Sequence, residues 1–316
     1  MLSLGDNLGT IQRTVNPRAI PRTMIMLLPL LLLLAAACSS DPDDPIISSE
    51  QEAGGPEYSG TIITTDMAVG VNRLLFGVTD REGMPIRGEA SDVGVFFLVP
   101  GEDARELRQS VTADFVVWPS AVGGVFSTEV DLVEAGLYEL DINFTSNDGN
   151  EIFAQTTFLV KDESETPAIG TTAPASVTYK AGDKEDLSHI TSSPIPDPDL
   201  YQLSIHEALQ QDKPLVVVFA TPAFCVSATC GPQVGELTKV KDVVGDQANY
   251  IHVDVFEDPH LIEGGRPTGS LVPAVLEWGL PTEPWTFIVD KNGLISAKFE
   301  QFTTAGEIEA KLLDIL

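Results

Sequence analysis

The sequence predicts a two-domain chain, an all-β sandwich followed by an α/β domain. Between residues 58 and 160 short β-rich runs alternate with turn signals and no helical period persists, the pattern of an antiparallel sandwich. From about Pro167 apolar runs alternate with helical spacing, as in a chain that winds strand, helix, strand. Between these regions Lys161-Asp162-Glu163-Ser164-Glu165-Thr166-Pro167 is charged and turn-forming, which sets the sandwich at 58–162 and the α/β domain at 163–316. At 316 residues the chain exceeds one ordinary core.

Two segments precede the sandwich. Residues 1–37 carry Arg13, Arg18 and Arg22 with a single acid, Asp6, then the apolar run that starts at Met24 and ends in Ala35-Ala36-Ala37. A basic region followed by an apolar region ending in small residues has the form of an export signal. The run is shorter than the ~18–20 residues a spanning helix needs, and Pro29 interrupts it. With Cys38-Ser39-Ser40-Asp41 behind it, the segment resembles a bacterial lipoprotein signal, which implies lipidation of Cys38; Ala35 stands where the usual form has Leu. Residues 38–57 are rich in Asp, Pro, Ser, Glu and Gly and read as a flexible acidic tether.

The chain has 18 Lys+Arg against 47 Asp+Glu, and without residues 1–37 it has 15 against 46, a net charge of −31. Such a field repels phosphate backbones and anionic lipid, so nucleic acid is excluded as a partner and membrane attachment falls to the lipid. The acids are spread along the chain, as a solubilising surface requires, rather than gathered in a tail.

Within the sandwich, strands are expected at 74–79, 93–99, 113–118, 125–130, 137–144 and 153–160, about seven in all, with turns at Asp80-Arg81-Glu82-Gly83 and Asn147-Asp148-Gly149-Asn150. Ala135-Gly136-Leu137-Tyr138-Glu139-Leu140 resembles the start of a late strand in an immunoglobulin-like sandwich. This segment contains neither Cys nor His, and a role as spacer or partner-docking module is expected.

In the second domain Ser204-Ile205-His206-Glu207 fits a capping box, and Leu215-Val216-Val217-Val218-Phe219 suits a strand buried on both faces. Val234, Leu237, Val240 and Val244 follow helical spacing, and 250–255 reads as the next strand. Pro273 starts a helix that stops at Gly279, 285–289 and 294–299 flank the turn Asp290-Lys291-Asn292-Gly293, and Thr304-Ala305-Gly306-Glu307 caps a last amphipathic helix. Cys225 and Cys230 lie just after the buried strand. Residues five apart in a continuous helix point ~140° away from each other, so Cys225 must lie in a loop that folds back on Cys230 if the two are to close a disulfide. Pro232 suits a first helical turn and places Cys230 at the helix N-terminus, where unpaired N–H groups favour a thiolate.

Together, Lys213-Pro214 with the strand behind it, the paired cysteines, Val253-Asp254-Val255, and 281–290 with Asn292-Gly293 resemble the thioredoxin superfamily over about residues 168–316. The departure is four residues between the cysteines where the family has two. Either Phe224-Cys225 takes the attacking position and Cys230 resolves, or Cys230-Gly231-Pro232 takes the family's Cys-Gly-Pro, with Gln233 replacing the second cysteine. The resemblance implies catalysis by Cys225 and Cys230, a cis Pro284, and substrate binding at Glu283 and Pro284. It implies a thiol–disulfide oxidoreductase anchored in the cell membrane and facing the extracytoplasmic side, with exported thiol or disulfide proteins and a redox partner as its partners. No cofactor or metal is assigned. Two alternatives stay open: copper binding or delivery of the Sco type, with His252 or His260 supplying a ligand, and a redox-inactive interaction protein with a structural disulfide.

Overall fold

A computed structural model describes residues 55–119, 123–264 and 269–316. The leader, Cys38 and the tether as far as residue 54 lie outside the described residues.

The sandwich region is one antiparallel sheet. Its strands are β1 (Tyr58–Ile62), β2 (Gly70–Asp80), β3 (Pro85–Ile86), β4 (Ala90–Leu98), β5 (Arg105–Val116), β6 (Val125–Leu132), β7 (Gly136–Thr145) and β8 (Glu151–Val160). The order is β1-β2-β6-β5-β4-β7-β8, with β3 pairing β2. The path curls until a Cβ at Gly60 of β1 would meet the Thr156 Cβ of β8 at 3.1 Å, so the sheet nearly closes on itself. Alternation explains the core: Leu74, Phe76, Val93, Val95, Leu140 and Ile142 point inward, while their neighbours face out. Tyr138 is fully buried, and its hydroxyl donates to the Glu134 carbonyl at 3.0 Å, fastening the start of β7 in the manner of immunoglobulin-like β structure.

The second region holds a four-stranded sheet, order β10-β9-β11-β12, from β9 (Leu215–Phe219), β10 (Asn249–Val253), β11 (Trp285–Val289) and β12 (Ile295–Glu300). Strands β9 and β10 are parallel, and the other two pairings are antiparallel. The helices are α1 (Ile205–Ala208), α2 (Cys230–Val244), α3 (Pro273–Glu277) and α4 (Ala305–Leu313). Val216 and Val218 pack with Leu237 and Val240 of α2 and Ile308 and Leu312 of α4. Leu215, Val217 and Phe219 pack on the other face with Val275 of α3, Trp278 and Phe287. A strand covered on both faces has no polar side, which is why its sequence is wholly apolar.

Among the described residues strands dominate and helices are few, where an all-β sandwich followed by an α/β domain was expected. Of the four α-helices among the described residues, α1 and α3 span only four and five residues. Pro273 and Gly279 bracket α3 so closely that two turns cannot form, and Gly279 sits at φ 61° with the Glu165 carbonyl 2.3 Å from where a Cβ would stand.

The two sheets meet along a polar seam. Asp66, whose side chain is wholly buried, accepts from the Ser164 hydroxyl, from Glu165 N–H at 2.9 Å, and from Thr166 N–H and Oγ1 at 3.1 and 2.7 Å; Lys298 Nζ of β12 lies 3.3 Å away. Burial alone would raise the Asp66 carboxyl, but these donors and the Lys298 charge outweigh it and hold it far below the usual carboxylate range. Arg73 donates to the Glu300 and Phe302 carbonyls and to Glu307 Oε1 at 3.1, 3.3 and 2.8 Å. Leu75, Trp118, Val125 and Phe302 close the seam with an apolar cluster.

Candidate functional site: the Cys225–Cys230 disulfide

Cys225 and Cys230 are joined by a disulfide with Cα atoms 5.9 Å apart, inside the range that bridging needs. Cys230 is the first residue of α2 and fully buried, whereas Cys225 is half-buried in the loop between β9 and α2. Ala228, at φ 58°, supplies the left-handed step within that loop. Ser227 Oγ lies 3.1 Å from Cys225 Sγ and 2.7 Å from Thr229 Oγ1, so the hydroxyls tie the loop to the helix start. Gln233 has a structural part to play. Its side chain is fully buried, donating to Thr286 Oγ1 at 3.1 Å and accepting from Thr303 N–H at 2.7 Å.

The loop before β11 brings a carboxyl to the sulfurs. The Glu283–Pro284 peptide is cis. Glu283 accepts from Thr221 N–H at 2.7 Å, and one of its oxygens and the two sulfurs all lie within 4.8 Å of one another. Burial pushes the Glu283 carboxyl up to about 7, opposed by the Thr221 donors. Behind it, Thr221 Oγ1 donates to Asp254 at 3.2 Å, and Asp254 also accepts from Ser192 N–H and Oγ at 2.7 Å each.

The site residues expected from the sequence are therefore together: Cys225, Cys230, Glu283 and Pro284. The resemblance implied substrate binding at Glu283, and the sequence reading missed the approach of its carboxyl to the sulfurs. It also missed Thr221 and Ser227; Thr221 carries one usable signal, a hydroxyl two residues past a wholly apolar strand. The histidines lie apart from the sulfurs. His252 is buried, accepting from the Tyr201 hydroxyl at Nδ1 (2.6 Å) and donating from Nε2 to the Ala220 carbonyl (2.9 Å), and burial lowers its pKa. His260 stacks on His189 with ring centroids 3.9 Å apart.

No family model matches this chain, and no curated protein matches it. Among solved structures it is similar to a superoxide reductase (neelaredoxin) variant of Ignicoccus hospitalis, at 11% identity over 33% of this chain and 80% of that one, with a TM-score of 0.21. It is also similar to murine CRIg, at 10% identity over 32% and 96% with a TM-score of 0.18. A third is MtrC from Shewanella baltica OS185, at 9% over 75% and 51% with a TM-score of 0.25. Likenesses this distant transfer no activity.

The thioredoxin-superfamily assignment of residues 168–316 is corrected: no family model matches the chain, and its described residues are mostly β with a nearly closed, barrel-like sheet. The physical reason lies in what the motifs encode: an apolar run, a helix-starting proline and a proline ahead of a strand are what any strand buried on both faces and its flanking loops require, so they specify local structure.

Proposed function

We propose that this protein is a thiol–disulfide oxidoreductase of exported proteins, lipid-anchored to the membrane through Cys38 and acting on its extracytoplasmic side through Cys225 and Cys230. The observation that carries the proposal is the asymmetry of the disulfide: one cysteine is half-buried on a loop, and the other is buried at a helix N-terminus, with a carboxyl close to both sulfurs. A substrate thiolate attacks Cys225 Sγ, the reachable sulfur, and the S–S bond breaks with its electron pair on Cys230. The α2 N-terminus stabilises the leaving thiolate. A second substrate thiolate then attacks the substrate sulfur of the mixed disulfide and expels Cys225, so the substrate gains a disulfide and the protein two thiols. Run backwards, the same steps reduce a substrate.

The test is the reduction potential of the pair together with trapping. A working couple is expected between about −120 and −270 mV, whereas structural disulfides lie below roughly −300 mV. Cys230→Ser is expected to accumulate mixed disulfides on Cys225, and Cys225→Ser to trap none. A very low potential with no trapped protein from either variant would leave a structural staple. Anchoring is checked separately: Cys38→Ser is expected to shift the protein from the membrane to the soluble exported fraction, because a chain of net charge −31 without its leader has no electrostatic hold on anionic lipid.

A further inference from the structure

Opening the disulfide places two ionisable thiols beside the Glu283 carboxyl. Among the described residues, Cys225, Cys230 and Glu283 are the group of three His, Cys, Asp or Glu side chains whose donor atoms all fall within 4.8 Å of one another. Their surroundings favour negative charge at one end only. The N-terminus of α2 stabilises a thiolate on Cys230, but the charged neighbour acting on Glu283 is another acid, Asp254. With both thiols ionised the three donors are anionic, the charged group acting on Glu283 among the described residues is itself an acid, and a cation bound between the donors would supply the counter-charge.

We propose that the dithiol form of this protein binds one thiophilic divalent cation of the Zn2+ type, held by the Cys225 and Cys230 thiolates and the Glu283 carboxylate. In tetrahedral zinc sites sulfur ligands stand about 2.3 Å and carboxylate oxygens about 2.0–2.2 Å from the metal, which puts neighbouring donor atoms roughly 3.5–3.8 Å apart. The three donors already lie inside a 4.8 Å limit, so the sulfurs need only part and the carboxylate close in. Two thiolates select a soft or borderline ion over Mg2+ or Ca2+. Three protein donors leave a fourth position for water or a substrate group. Cation and disulfide exclude each other. A two-electron reductant, itself oxidised, breaks the S–S bond and leaves two thiols, and the cation then displaces their protons; a disulfide-bearing oxidant, itself reduced to two thiols, re-forms the S–S bond and so releases the cation.

The inference rests on the exchange reading only in requiring the dithiol, and a phosphine reductant supplies that state whether or not a physiological partner exists. The experiment uses the mature chain, reduced with a phosphine and freed of it without oxygen, and titrated with Co2+ and with Zn2+ against a chromophoric chelator. The dithiol is expected to bind one Co2+ with a sulfur-to-cobalt charge-transfer band, the disulfide form to show none, and each Cys→Ser variant to lose most of the band. Glu283→Gln keeps an oxygen for the Thr221 N–H, so it preserves the loop while removing the anionic ligand. It is expected to weaken Zn2+ binding by about tenfold or more, since even outer-shell partners typically cost roughly 10–100-fold. Equal binding by dithiol and disulfide forms, or Glu283→Gln binding as tightly as wild type, overturns the proposal and leaves the potential and trapping results standing on their own.

Discussion

Gln233 is a polar side chain with no exposed surface, one turn into the helix that begins at Cys230. It donates to Thr286 of β11 and accepts from the Thr303 N–H beyond β12, so a single amide fixes the helix against two other segments. Replacing it with leucine keeps most of the volume but leaves the Thr303 N–H without its acceptor, and an unmade buried bond costs about 1–3 kcal/mol. Gln233→Leu is therefore expected to melt several degrees below wild type with the disulfide still formed, as a thermal melt and a free-thiol titration together would show. An unchanged melting temperature would mean that water takes over both bonds.

At the scale of elements, what the sequence made legible is what neighbours in the chain decide. Both capping boxes form as the spacing predicts: Ser204 and Glu207 at α1, and Thr304 and Glu307 at α4, each with side chain to backbone bonds in both directions. Thr304→Ala is expected to cost about 1 kcal/mol, measurable as a lower urea midpoint at unchanged slope; a Thr304→Ser variant should recover most of it. The strand that escaped the pattern is the first half of β5, from Arg105, whose side chains are largely exposed and show no apolar alternation. It becomes strand because β4 pairs with it, Leu98 opposite Arg105, a decision made by a partner and not by its own residues. The short β3 and the edge strand β1 were invisible for the same reason. The disulfide site was legible in its cysteines and its proline. The Glu283 carboxyl was not, because its approach to the sulfurs depends on a loop some fifty residues on, and sequence spacing carries no signal for such an approach.

For the whole molecule, the seam ties the β-sandwich to the site. Thr65, between β1 and β2, donates through its N–H and hydroxyl to Glu300, at 2.7 Å each, and Glu300 also accepts from Thr282 Oγ1 at 2.7 Å, next to Glu283. The loop that carries the site carboxyl is thus braced by the other sheet. Asp66 is the seam's most heavily bonded acid, and its titration sets how the whole responds to pH. Its folded pKa lies below its unfolded value, near 3.9. The stabilisation it gives is therefore complete above roughly pH 5 and is lost progressively as pH falls below the unfolded value towards the folded one. At pH 7 Asp66→Asn removes the charge facing Lys298, a side chain only 11% exposed, and breaking a buried pair from one side costs about 3–5 kcal/mol. Urea unfolding of wild type and Asp66→Asn at pH 7 and at pH 3 is expected to give a large stability gap at pH 7 that narrows at pH 3, because acid removes from the wild type what the substitution has already removed. A gap of the same size at both pH values would show that the Asp66 charge does not hold the sheets together, and that its shape and neutral hydrogen bonds do.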